Sequence, residues 1–88
     1  FLLYLAFNAV HDPLEATDKY TSRFKDIKDE KRLKYAGMLS ALDDAVGRVL
    51  GKLKELGLED DTIVVFHSDN GGPEPVNGSD NGPLHGGK

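Results

Sequence analysis

The chain is predicted to be α/β: a βαβ fragment of a larger mixed or parallel sheet with flanking helices. Three observations predict this. Residues 1–8 and 62–68 are short, nearly continuous apolar runs with β-branched and aromatic members, the pattern of strands buried on both faces. Between them lies a long segment with helical periodicity. A strand, a crossover helix and a second strand make a parallel unit of right-handed sense, so both strand carboxyl ends face one rim.

Each element follows from its residues. The run from Phe1 to Asn8 is read as strand 1–8, and residues 9–28 as a loop. Pro13 holds Asp12 in extended geometry, so no helix starts there. Within the loop, Tyr20 and Phe24 are expected to anchor the chain to the body, with a short helical turn around 17–25. The helix is placed at 29–56 because Leu39, Leu42, Val46, Val49, Leu53 and Leu56 recur at steps of three and four. Asp29 or Glu30 suits its positive end, and Gly57 suits a left-handed cap. Gly47 is expected to mark close packing of this helix on the sheet, and Asp43, near the apolar stripe, to need a polar partner. The second strand spans 62–68. Residues 69–88, rich in Gly and Pro from Gly71 onward, form a loop leaving the same rim.

Composition narrows the function. Fifteen acidic and 11 basic residues give a net charge of −4, and the basic residues are interleaved with acids, which argues against nucleic acid as a partner. The absence of cysteine excludes a disulfide, a thiolate metal site or a cysteine nucleophile in these residues. The apolar start is too short to span a membrane and lacks the basic flank and cleavage site of a signal peptide. Phe1 in place of Met, and Lys88 directly after two glycines, read as the ends of an internal piece of a longer protein.

The chemistry concentrates after the second apolar run. Asp69 and Asn70 offer adjacent hard oxygen donors at a strand tip, where α/β proteins bind ligands, and such donors suit Ca²⁺ or Mg²⁺. The competing reading is an Asx turn that merely ends a strand, and local sequence leaves both open. His11 sits at the other strand end, either as a site residue or as a structural histidine. His67 reads as a packed or rim residue. The run from Gly82 to Gly87 and Lys88 matches the start of a phosphate-binding loop in spacing alone. That motif must leave a strand directly and open a helix, and here Pro83 intervenes, so it is rejected. The charges of the helix are read as solvated surface.

Taken together, Phe1–Asn8 with Ala9-Val10-His11-Asp12-Pro13, the helix segment Tyr35–Gly47, Ser68-Asp69-Asn70-Gly71-Gly72 and Gly82-Pro83-Leu84-His85-Gly86-Gly87-Lys88 resemble an internal piece of a type I sulfatase of the alkaline phosphatase superfamily. The resemblance covers essentially the whole chain. It implies a partial sulfatase catalytic domain with an alkaline-phosphatase-like fold, hydrolysing sulfate esters on a sulfated small molecule or sulfated glycan. It implies a formylglycine nucleophile made from Cys or Ser in a Cys/Ser-x-Pro-x-Arg segment outside these residues. It implies Ca²⁺ held by Asp69 and Asn70 together with ligands outside this chain. It assigns His11 to the leaving group and Lys88 to the sulfate oxygens. His85 stands where the family usually has Arg, which puts the packing of that loop in question. Periplasmic, secreted or lysosomal location follows by resemblance only. The isolated chain is expected to be inactive and, with an apolar sheet face exposed, to self-associate. Two alternatives are a phosphate or phosphonate ester hydrolase of the same superfamily and a non-catalytic βαβ binding module.

Overall fold

The computed structural model describes residues 1–74 and 76–88; Pro75, inside the expected 69–88 loop, lies outside the described residues. Among the described residues two helices and one 3₁₀ turn make up the regular structure: α1 (Asp18–Thr21), α2 (Glu30–Glu55) and the turn Glu59–Asp61. Among the described residues there is no strand, and the expected βαβ unit is not formed. The alkaline-phosphatase-like sheet is therefore a corrected expectation.

The physical reason is visible in the two apolar runs. A strand is a property of a ladder, and β propensity describes fit to neighbours on a pleated surface. No backbone-to-backbone hydrogen bond engages residues 1–7 or 62–70 among the described residues. Their side chains lie open as well: Leu2 is 96% exposed and Ile63 93%. The runs carry strand composition with no chain paired alongside. No apolar side chain is fully buried among the described residues. The radius of gyration is 15.1 Å, against about 12 Å for a compact domain of this length. Among the described residues the chain is thus one long helix with a short helix against it and irregular segments on either side.

The long helix forms where its periodicity placed it. The Asp29 carboxylate accepts from the Arg32 backbone N–H at 2.7 Å, satisfying one of the unpaired donors of the first turn. The far end closes as a Schellman motif. Leu58 N–H donates to Leu53 O at 2.9 Å and Gly57 N–H to Lys54 O at 3.0 Å, with Gly57 at φ +67. Thr62 Oγ1 then donates to Leu58 O at 2.6 Å, binding the 3₁₀ turn to the helix end.

Two expectations about α2 shift by position. Gly47 faces nothing within 4 Å, because no sheet lies under it. Gly37 is instead the buried glycine: a Cβ there would meet Ala16 Cβ at 2.8 Å and Thr21 Cγ2 at 3.1 Å. Close approach of α1 and the segment before it, and not of a sheet, requires glycine in this helix. Likewise the partnered acid is Asp44 and not Asp43, which is exposed. Arg23 donates to both Asp44 carboxylate oxygens at 3.2 and 2.9 Å and to Ser40 Oγ at 2.8 Å. The Arg23 hydrogen bonds hold the Asp44 carboxyl below the usual carboxylate value and raise the guanidinium in turn. Arg23 and Lys19 also flank the Tyr20 ring, each 4.9 Å from its centre. Tyr20 and Phe24 are half-buried, as expected of anchors.

Candidate functional site

His11 lies in a turn closed by its own backbone N–H, which donates to Asn8 O at 2.8 Å. Its Nδ1 is 2.7 Å from the Asp12 carbonyl oxygen. A carbonyl oxygen only accepts, so this bond requires the hydrogen on Nδ1. In the neutral ring Nε2 is then the acceptor. Opposite it, at 2.8 Å, is the Lys88 ammonium, which has hydrogens to donate. The two residues assigned above to leaving group and sulfate thus meet across the whole chain, with complementary donor and acceptor. His11 also lines an open cleft with Asn8, Asp12, Pro13, Glu15 and Met38.

Asp69 and Asn70 are exposed at the end of the second apolar run. Ser68 Oγ donates to Asn70 O at 2.6 Å, and Asn70 Nδ2 donates to Gly71 O at 2.8 Å. This ties up the nitrogen end of the carboxamide and turns its oxygen into the available donor atom. Neither Asn70 Oδ1 nor the Asp69 carboxylate accepts a hydrogen bond among the described residues. Their chemistry fits a hard cation in kind. In number it does not suffice: Ca²⁺ takes 6–8 oxygens, and no group of three or more acidic, histidine or cysteine residues that could hold a metal occurs among the described residues. No hydrogen bond joins Asp69 or Asn70 to His11 or Lys88 among the described residues.

The loop between the tip and Lys88 folds back on itself. Asn77 and Ser79 are its buried polar members; Asn77 Oδ1 accepts from the Ser79 N–H at 3.0 Å. Asn81 makes a two-point contact with one peptide neighbour: its Oδ1 accepts from Gly72 N–H at 2.9 Å and its Nδ2 donates to Gly72 O at 3.0 Å. The Asn81 backbone N–H donates to the Glu74 carboxylate. His67 is exposed, its Nδ1 3.1 Å from Ser68 O, and with no sheet formed it has no rim to sit on.

The loop is fastened to the start of α2. Lys31 Nζ donates to Val76 O at 3.1 Å and Arg32 Nη1 to Gly78 O at 2.6 Å. Gly78 has φ +77, and a Cβ there would come within 3.1 Å of Arg32 N. The helix charges were expected to be plain solvated surface. Lys34 with Glu30 and Lys52 with Glu55 conform to that, but Lys31 and Arg32 hold the loop. These two and Asn81 escaped sequence reasoning. Two adjacent cations at a helix start, where the dipole disfavours them, were the available signal. Asn81 lies in the segment read only as a Gly- and Pro-rich loop.

Comparison with known proteins bears on all of these residues. The Sulfatase family model matches residues 1–88. Arylsulfatase J of Mus musculus is 43% identical over 86 residues, covering 98% of this chain and 14% of its own length. The uncharacterized sulfatase YdeN of Escherichia coli (strain K12) is 42% identical over 88 residues, covering 93% and 16%. N-acetylgalactosamine-6-sulfatase of Sus scrofa is 35% identical over 91 residues, covering 100% and 16%. The chain therefore spans about one-sixth of the length of these curated relatives or less. On the match across its full length, this chain belongs to the sulfatase family.

Proposed function

We propose that this chain is part of a sulfuric ester hydrolase, and that His11, Lys88, Asp69 and Asn70 are its contribution to the site. The observation that carries the reading is the 2.8 Å contact of Lys88 Nζ with His11 Nε2, between residues 77 apart in a chain matched throughout by one family. Lys88 supplies a cation for the sulfate oxygens, which concentrate negative charge as the ester bond breaks. When the ammonium turns to those oxygens, His11 Nε2 is released. Protonated there, with Nδ1–H still held by Asp12 O, the ring can give the Nε2 proton to the departing alcohol oxygen and return to its neutral form. The S–O bond to the alcohol is the one broken.

Asp69 and Asn70 would hold Ca²⁺ with ligands outside this chain. A bound cation there supplies charge neutralisation and orientation of the sulfate. The nucleophile, formylglycine by family resemblance, also lies outside these residues. The substrate class is a sulfated small molecule or sulfated glycan; the names of the arylsulfatase and N-acetylgalactosamine-6-sulfatase relatives support sulfate esters of this range. A periplasmic, secreted or lysosomal compartment goes with this reading. No helix among the described residues is long and apolar enough to cross a membrane.

The test is hydrolysis of an aryl sulfate by the full-length enzyme. Lys88→Ala and His11→Ala should each lower kcat/KM by about 10²–10⁴-fold. Wild-type turnover of an aryl phosphate in preference to the sulfate would replace the reading with a phosphoesterase one. The isolated 88-residue chain should show no turnover, and clear sulfate release by it would overturn the placement of the nucleophile elsewhere.

A further inference from the structure

The segment from Asp69 to Lys88 leaves the metal-type donors at one end and the lysine at the other, and something must fix one against the other. Backbone approach does part of this. A Cβ on Gly71 would lie 2.9 Å from Asn81 Oδ1 and 3.3 Å from Gly86 O. A Cβ on Gly87 would lie 2.5 Å from Gly72 O and 3.3 Å from Asn81 Nδ2. Residues 71–72 and 86–87 therefore run side by side, at Gly87 closer than a Cβ allows, and the Asn81 carboxamide lies against both.

We infer that Asn81 is a positioning residue, which holds the Gly86–Gly87–Lys88 arm in register with the Asp69–Asn70 tip and thereby places Lys88 Nζ on His11. The chemistry suits a carboxamide and little else. Gly72 presents one N–H donor and one C=O acceptor, and only Asn or Gln carries a matching acceptor and donor on one rigid plane. A carboxylate satisfies the N–H and opposes the carbonyl. The Glu74 carboxylate, accepting from the Asn81 backbone N–H, steadies the same residue from the other side. Among the described residues Asn81 makes no hydrogen bond to the His11 or Lys88 side chain; it acts through the glycine arm. The catalytic consequence rests on the sulfatase reading above, whereas the register itself does not.

The test uses the full-length enzyme with Asn81→Ala, Asn81→Asp, Lys88→Ala and the double variant Asn81→Ala/Lys88→Ala. Asn81→Ala should lower kcat/KM for an aryl sulfate by about 10–100-fold, the range seen when supporting partners of site residues are removed. Asn81→Asp should fall between it and wild type. The double variant should be no slower than Lys88→Ala alone, since the amide works only through the lysine. Losses that multiply in the double variant would overturn the inference. Amide exchange at Gly72 gives a readout independent of activity: protection in wild type, partial loss in Asn81→Asp and full loss in Asn81→Ala. Equal exchange in all three would sink the register whatever the activity. Asn81-dependent protection in an enzyme without sulfate ester hydrolysis would keep the register and discard the sulfatase reading. Should Asn81→Ala not fold, the Asn81→Asp comparison carries both readouts.

Discussion

Gly37→Ala and Gly47→Ala are the same chemical change in the same helix, and the structure gives them opposite signs. Replacing Gly by Ala in a helix interior stabilises by about 0.8–1.0 kcal/mol when nothing else changes. At Gly47 nothing else does change, because beyond the backbone of its own helix turns no atom lies within 4 Å of the added methyl. Gly47→Ala should therefore gain about 1 kcal/mol. At Gly37 the methyl would sit 2.8 Å from Ala16 Cβ, well inside the 3.5–4.0 Å at which carbon atoms attract. Overpacking of this kind costs about 1–3 kcal/mol, so the helix gain is cancelled or reversed. The two variants should differ by about 1–3 kcal/mol. Ala16→Gly in the Gly37→Ala background removes the nearer clash, leaves Thr21 Cγ2 at 3.1 Å, and should recover part of the loss. The assay is urea unfolding followed by helical circular dichroism. Equal stabilisation by both substitutions would refute the packing of residues 16–21 on α2.

Three further outcomes follow from other contacts. Asp29→Ala removes the acceptor for Arg32 N–H and should cost about 1 kcal/mol, measured in the same unfolding assay; a change under a few tenths would dismiss the cap. The Asp44 carboxyl is held below its ordinary value of 3.8, chiefly by its Arg23 hydrogen bonds, so its stabilising contribution is complete above that value and is lost as pH falls through the lowered one. Docking of α1 on α2, followed by Tyr20 fluorescence, should hold from pH 7 to about 4 and weaken below it, and Asp44→Asn should remove this acid-dependent step. The open apolar runs at 1–7 and 63–66 should drive the isolated chain to self-associate in sedimentation, and a monomer at tens of micromolar would contradict that.

Legibility followed the range of the interactions. The helix was readable because its determinants are local: leucines at helical spacing, an acid at the start, and a glycine whose positive φ the cap uses. The apolar runs at 1–8 and 62–68 misled because composition reports what a segment would do beside a partner strand, and none is paired with it here. Asp43 was singled out by its position near an apolar stripe, and Gly47 as a glycine inside a helix. Which neighbour is engaged depends on where the preceding segment crosses the helix, and that crossing selects Asp44 and Gly37. At the site, residue types were readable and pairing was not. Nothing local in Asn81 announces a backbone partner nine residues away, and two adjacent cations at a helix start single out Lys31 and Arg32 without naming the carbonyls they hold.

The 2.8 Å bond from Lys88 to His11 turns the polypeptide into a non-covalent ring, its ends 77 positions apart in sequence. Closing a flexible loop of that length costs about 4 kcal/mol in chain entropy. One charge-assisted hydrogen bond returns only about 1.5–3 kcal/mol, and less at an exposed site. The bond cannot hold the ring shut. Closure depends on the intermediate fastenings, the α1 crossing at Gly37 and the Arg32–Gly78 bond, which reduce the free arcs to the few residues next to each end. A protease cut between the two helices, far from both His11 and Lys88, would release the arcs and open the pair. The clasp therefore registers the integrity of the entire circuit.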